Sequence, residues 1–184
     1  MRARRPAAAV ALLLALCACG ADPATARDSA PQASAVSSGG LDETALAFVE
    51  LSIATDDQAV KLLDLGASRA TSPALRSFAS DLAAARRTEL SSLHDLLGST
   101  PYVNNHAGHD MPGMPTDAEL IALRAASDDF DPEFVRLVRN HLTESTTVAR
   151  SGEKAIKESR THAVAAAMIK ERGAALRALD ALVT

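Results

Sequence analysis

Apolar positions recur along most of the chain at the three- and four-residue spacing of amphipathic helices. The first such stripe predicts a helix over about 41–67, with Asp42 as its N-cap. Gly66 and the step from Ser72 to Pro73 predict the turn that follows. No segment shows the strict alternation of a half-buried strand, so the pattern favours helices throughout.

Start and stop signals indicate further helices. Thr116 and Glu119 form a capping box. Asp131 followed by Pro132 is typical of a cap and a first helical residue. Gly98 is typical of a helix end. The helices predicted after the first span, in order, 74–97, 116–126, 131 to about 152, and 159–182.

The two halves of the chain repeat one pattern. Phe-Val-Glu-Leu at 48–51 recurs 86 residues later as Phe-Val-Arg-Leu at 134–137, and the same offset pairs Gly66 with Gly152. One constant offset across two apolar segments indicates two copies of a helix–turn–helix unit.

The sequence therefore predicts an all-α fold, a four-helix bundle made from two repeated helical hairpins with a short linking helix. The bundle domain is predicted at 41–184, with repeat one at 41–98, a linker at 99–130 and repeat two at 131–184. Composition strengthens this prediction, because aromatic residues make up only 3% of the chain and Trp is absent. The core must then consist of Ala, Leu and Val, and Ala and Leu are strong helix formers.

Residues 1–19 are typical of a bacterial lipoprotein signal peptide. Three arginines precede an apolar stretch, 7–16, that is too short to span a bilayer. Because the small residue Ala18 precedes Cys19, we expect cleavage before Cys19 and lipid modification at that residue. The alternative is an ordinary signal peptide whose cysteines are lost with the leader.

Residues 20–40 are rich in Ala, Ser, Pro, Thr and Gly, which predicts a flexible tether. We therefore expect an exported protein that is lipid-anchored to the cell envelope, on its periplasmic or cell-surface face. The formal net charge of -4 becomes -7 once the three leader arginines are removed. This acidic balance argues against nucleic acid as a partner and leaves the lipid anchor as the predicted membrane attachment.

The linker carries a cluster of metal-binding residue types, because His106, His109, Met111 and Met114 lie within nine residues. We call this segment, 106–114, the His/Met loop. Imidazole and thioether groups together suit copper, and the thioether favours the reduced ion. The alternative is that these residues cap one end of the bundle, with the Met side chains filling gaps under the loop.

His141 lies on the apolar stripe of the second half, with Leu137 and Val138. One interpretation is a partly buried histidine with one hydrogen bond; the other is an additional metal ligand inside the bundle. Its repeat partner is Thr55, so the bundle offers no symmetric pair of histidines.

The remaining polar residues indicate no catalytic site. No Glu stands three residues before a His, as a di-iron bundle needs, and the folded part has no Cys, nucleophile elbow or phosphate loop. The adjacent Asp56 and Asp57 are expected to be solvated, and His94 and His162 are expected at the surface or its boundary. We therefore expect that the protein is not an enzyme.

The segment 48–182 resembles the family known as domain of unknown function 305. The match is most specific at 109–114, His-Asp-Met-Pro-Gly-Met, which is followed by Thr-Asp-Ala-Glu-Leu at 116–120. The resemblance implies an exported protein with a ferritin-like four-helix bundle, often built from two similar halves.

Members of that family usually carry the motif Met-Ile-x-His-His-x-x-Ala-Val in each half. The first copy here, 52–60, has Thr55 and Asp56 at the two histidine positions, and the second copy keeps only His141. Some relatives are linked to copper binding through His and Met. The resemblance therefore implies copper chemistry at the midsection and leaves the bundle interior with one of four motif histidines.

These patterns lead to one functional expectation and one alternative. We expect capture of a soft metal ion, copper first, in envelope metal handling, with ligands drawn from His106, His109, Met111, Met114 and His141. The alternative is a degenerate bundle that acts as a structural or protein-interaction module at the envelope without metal. Neither reading identifies a protein partner.

Overall fold

The computed structural model describes residues 40–106, 109 and 111–183, and these residues form helices, turns and one long loop. The helices are α1 (Glu43–Arg69), α2 (Pro73–Leu97), α3 (Asp117–Ala125), α4 (Phe130–Ala155) and α5 (Ser159–Leu182). Helices α1 and α2 form one hairpin, and α4 and α5 form the other. The two hairpins pack through α1 against α4 and, less closely, through α2 against α5. The predicted all-α helical bundle is confirmed.

Some predicted features precede the part of the chain that the structure describes. The signal peptide, the lipidation site Cys19 and residues 20–39 of the tether lie outside the described residues and stay predictions. In the part that the structure covers, no helix is both long and apolar enough to cross a membrane.

Two of the helix starts lie where the capping signals predict them. Asp42 Oδ1 accepts a hydrogen bond from the Ala45 N–H at 2.7 Å at the start of α1. Thr116 and Glu119 each accept a hydrogen bond from the other's backbone N–H, so the capping box of α3 is complete. Helix α2 begins one residue before its predicted start, because Ser72 in the predicted turn caps it and Pro73 is its first residue.

The start of α4 differs from the prediction. Asp131 is not its cap but lies inside the first turn, and α4 begins at Phe130. The Asp131 carboxylate accepts hydrogen bonds from the Thr71 N–H at 2.8 Å, the Thr71 hydroxyl at 2.6 Å and the Ser72 N–H at 3.2 Å. Burial opposes its charged form, but these hydrogen bonds outweigh burial and lower the pKa of Asp131. Asp131 therefore ties the second hairpin to the turn of the first.

The prediction that Gly66 marks a turn is also wrong, because α1 continues past it to Arg69. A Cβ atom on Gly66 would lie 2.2 Å from Phe134 Cζ. A Cβ atom on Gly152 would lie 2.6 Å from Phe48 Cδ2. The phenylalanine of each half thus packs on the glycine of the other half, and the paired glycines serve the contact between α1 and α4.

Two apolar clusters form the core, one toward each end of the helices. Buried Leu62, Leu63, Phe130 and Phe134 belong to the first cluster. Phe48, Ile53, Leu93 and Met168 belong to the second. Along the helix sequences, the buried charged residues Asp56, Arg86, Glu89 and Arg172 fall between these two sets of positions.

Gly66→Ala is expected to lower the free energy of unfolding by about 1–3 kcal/mol, because the new Cβ would overlap the fully buried Phe134 ring. Gly173 on α5 gives the matched control, since its nearest neighbour would be Arg177 Nη1 at 3.6 Å. Gly173→Ala should raise the free energy of unfolding by up to about 1 kcal/mol, because Ala has a higher helix propensity than Gly. Urea unfolding measures both variants. Equal stability of the two would contradict the close Phe–Gly packing.

Candidate metal cleft and buried charged layer

The end of the His/Met loop lies directly on α4. Gly113 has a φ of +78°, a conformation that favours glycine, and it is buried. A Cβ atom there would lie 2.7 Å from the Ser145 backbone nitrogen and 3.2 Å from the His141 carbonyl oxygen. Only a residue without a side chain lets the loop approach the helix this closely.

His141 fixes that approach with a hydrogen bond. Its Nδ1 lies 2.8 Å from the Gly113 carbonyl oxygen, which can only accept, so Nδ1 carries the proton. The side chain is only 2% exposed, and Nε2 has no hydrogen-bond partner among the described residues. Burial, followed by the positive charge of Arg172, lowers the pKa of His141 to about 3. His141 is therefore a neutral donor at physiological pH, as the interpretation of a buried histidine with one hydrogen bond predicts.

Two of the predicted metal ligands meet in one cleft. His106 and Met114 both line a cleft of about 430 Å³, together with Asp57 and Gln58 of α1 and Asp117 of α3. We call this the His106–Met114 cleft. The Gln58 amide donates a hydrogen bond to Asp117 Oδ1 at 3.0 Å, so α1 and α3 are joined at its wall.

The other predicted ligands lie outside the lining of this cleft. His109 is exposed and Met111 is half-buried, while His141 lies inside the bundle. The His109 N–H donates to the His106 carbonyl, and the Met114 N–H donates to the Met111 carbonyl. Within the described residues, no three His, Cys, Asp or Glu side chains are grouped to hold a metal ion. The cleft thus offers one imidazole and one thioether.

Four charged side chains are buried where the helices meet, and we call them the charged layer: Asp56, Arg86, Glu89 and Arg172. Arg172 Nη2 lies 2.9 Å from Asp56 Oδ1 and 2.8 Å from Glu89 Oε1. Arg86 Nη1 lies 2.7 Å from Glu89 Oε2 and 3.9 Å from Asp56 Oδ1. Glu89 therefore bridges both guanidinium groups.

The prediction that Asp56 is solvated is wrong, although Asp57 is exposed as predicted. Successive helical residues point about 100° apart, so adjacent aspartates do not share an environment. Asp56 lies on the buried stripe of α1 with Ser52 and Ala59. Burial, and next the negative charge of Glu89, raise the pKa of Asp56 well above its ordinary value.

Sequence reasoning missed the charged layer although two signals were present. Arg86 and Glu89 fall on the apolar stripe of α2, between Leu82 and Leu93, where a solvated charge would not fall. Arg86 and Arg172 are also equivalent at the repeat offset of 86 residues.

Comparison with known proteins places the chain in a family. The family model described as "Domain of unknown function (DUF305)" matches residues 46–183. The chain belongs to the DUF305 family. The crystal structure of a DUF305 fragment from Deinococcus radiodurans is similar at 19% identity and a TM-score of 0.67, covering 78% of this chain and 97% of that one. At this identity the likeness shows a shared fold. No curated protein matches significantly, and the ferritin-like topology expected of the DUF305 family stays a prediction.

Acidification is expected to destabilise the fold through His141. Its folded pKa of about 3 lies below the ordinary value of 6.5, so its contribution is complete above pH 6.5 and is lost progressively toward pH 3. The full shift corresponds to at most about 5 kcal/mol. Urea unfolding between pH 7 and pH 4 measures the loss. The control His141→Asn keeps an N–H donor for Gly113 but does not titrate, and a pH slope as steep as that of the parent would contradict the assignment.

Glu89→Gln is expected to lower the free energy of unfolding by about 3–5 kcal/mol, because both buried guanidinium groups lose their shared carboxylate. Asp56→Asn should cost clearly less, because its raised pKa already favours the neutral form and an amide oxygen still accepts from Arg172. Relative to Asp56→Asn, the parent should lose stability as pH rises through the raised pKa of Asp56. Urea unfolding at several pH values tests this, and a larger loss for Asp56→Asn than for Glu89→Gln would overturn it.

Proposed function

We propose that this DUF305 protein binds a soft metal ion, reduced copper first, at the His106–Met114 cleft and acts in metal handling at the cell envelope. The observation that carries the proposal is the shared cleft, since an imidazole and a thioether separated in sequence line one concave surface. Thioether ligands select reduced copper, and imidazole suits copper in both oxidation states.

The charges around the cleft favour a cation. The carboxylates of Asp57 and Asp117 line it, and Lys61 contributes one opposing positive charge. The net charge of these three side chains is negative, so the electric field in the cleft attracts a positive ion. The hard carboxylate oxygens add attraction without supplying the soft ligands that copper prefers.

His109 and Met111 are proposed to complete the ligand set. Each is linked to a cleft residue by a backbone hydrogen bond, His109 to His106 and Met111 to Met114. Both side chains are proposed to reach the same ion through movement of the loop, His109 from an exposed position and Met111 from a half-buried one.

His141, the fifth predicted ligand, fits a positioning role in this proposal. It holds the carbonyl of Gly113, the residue directly before Met114. The positive charges of Arg172 and Arg86, which lower its pKa, would equally oppose a cation beside its ring. His141 therefore supports the proposed metal site more through the hydrogen bond of its Nδ1 to the loop than through its free Nε2.

The envelope part of the proposal rests on the leader sequence. Export and lipidation at Cys19 would hold the bundle on the membrane surface through the tether, where it would capture copper before the ion reaches the cytoplasm. Mass spectrometry of the protein isolated from bacterial membranes tests this, because a lipidated chain begins at Cys19. A mature chain that begins at another residue and carries no lipid would contradict the lipid anchor.

Copper titration against a competing chelator tests the site. The purified protein should bind Cu(I) stoichiometrically and Cu(II) more weakly, because the thioethers favour the reduced ion. A variant with His106 and His109 changed to Ala and Met111 and Met114 changed to Leu should lose this binding by at least about a hundredfold, since every proposed ligand is gone.

Replacing the exposed residues His94 and His162 with Ala gives the matched control, because neither lines the cleft. This control should bind copper like the parent. Equal affinity in the loop variant and the parent would overturn the metal proposal and leave the alternative, a structural or protein-interaction module at the envelope.

A further inference from the structure

A second concave site lies between α2 and α5, away from the residues of the His106–Met114 cleft. Its volume is about 440 Å³, which is within the roughly 300–1,000 Å³ of small-molecule sites. Apolar side chains of Leu82, Val164 and Met168 line most of it. Small residues widen it, among them Ala85 and Ala167.

A buried guanidinium group lies at the inner side of this groove. Arg86 is fully buried and belongs to the lining. None of its three nitrogens has a hydrogen-bond partner among the described residues, and Nη1 forms an ion pair with Glu89 Oε2 at 2.7 Å. Its Nη2 lies 3.6 Å from Glu171 Oε2, beyond hydrogen-bond distance, and its Nε has neither a hydrogen bond nor an ion pair among the described residues.

The two donors that remain form a matched pair. The Nε–H and Nη2–H bonds of a guanidinium group point the same way and bind both oxygens of one carboxylate in parallel. Glu171 stands closest to this pair, but its side chain is 56% exposed and is free to turn toward water. An incoming carboxylate would therefore reach these two buried donors by displacing Glu171.

The charges around the groove are balanced while Glu171 lies beside Arg86. Arg86 and Arg172 carry two positive charges, and Glu89 and Glu171 carry two negative charges. Burial raises the pKa of Asp56, so a third negative charge is disfavoured. A ligand carboxylate would therefore take the place of the exposed Glu171 carboxylate beside Arg86 and keep this balance.

We propose that the groove between α2 and α5 binds a monocarboxylate with an apolar chain, its carboxylate on Nε and Nη2 of Arg86 and its chain along Leu82, Val164 and Met168. This site is separate from the His106–Met114 cleft, and ligand binding to it does not depend on copper.

Isothermal titration of the purified full chain with octanoate, octanol and octylamine tests the proposal. Octanoate should bind at one site per chain, octanol at least about tenfold more weakly, and octylamine more weakly still, because only the carboxylate satisfies both donors of Arg86. Equal binding of octanoate and octanol, or no binding of octanoate, would overturn the proposal.

Two variants connect the binding to this groove. Ala167→Phe fills it from an exposed position and should weaken octanoate binding at least about tenfold, whereas Ala122→Phe, on exposed α3 surface, should leave it unchanged. Arg86→Lys keeps the charge but lacks the paired donors, so it should also bind octanoate more weakly. If Arg86→Lys does not fold, Ala167→Phe decides alone, and unchanged octanoate affinity in that variant would overturn the proposal.

Discussion

The buried charged layer is the constraint on which the rest of the bundle depends. Taking an ion out of water costs several kcal/mol, so Arg86, Glu89 and Arg172 are stable in the interior only beside one another, with Asp56 as a further acceptor for Arg172. The polar atoms of these four side chains lie 2.7 to 3.9 Å apart. We expect the layer to contribute positional specificity more than net stability, because a shift or rotation of a helix that supplies a charge would separate that charge from its partner.

The layer also makes the second hairpin dependent on the first. Arg86 and Arg172 are equivalent in the two repeats, but the equivalents of Asp56 and Glu89 in the second half are Leu142 and Ala175. Both interior carboxylates therefore come from the first hairpin, and Arg172 finds them only when the hairpins pack together. The reciprocal Phe–Gly contacts between α1 and α4 require close steric fit of the two hairpins in addition to the pairing of charges.

The loop is connected to the layer through α4. The Arg172 Nε–H donates to the Ser145 hydroxyl at 2.9 Å, and that hydroxyl donates to the His141 carbonyl. His141 in turn holds Gly113 beside Met114. One chain of contacts thus runs from the charged layer to the His106–Met114 cleft of this DUF305 protein. The repeat equivalent of His141 is Thr55, which has no comparable loop to hold, because the His/Met loop occurs once, between the two halves.

The helices were predictable because capping and periodicity are local, and Asp42 and Thr116 each act within three residues of themselves. The errors came from side chains whose partners are distant in sequence. Asp131 resembles a helix cap but bonds to Thr71, and Gly66 resembles a turn but accommodates Phe134. Asp56 resembles a surface residue because its partners, Arg86 and Arg172, lie 30 and 116 residues away. Composition indicated the His/Met loop, but only the fold brings His106 and Met114 to one cleft with Asp57.

X-ray absorption spectroscopy of the copper-loaded protein tests the central functional claim most directly, because it identifies the atoms bound to the metal. The account predicts both sulfur and imidazole nitrogen around Cu(I), and a reduced sulfur signal in Met114→Leu. A shell of nitrogen and oxygen alone, unchanged in Met114→Leu, would contradict the assignment of the His106–Met114 cleft as a copper site.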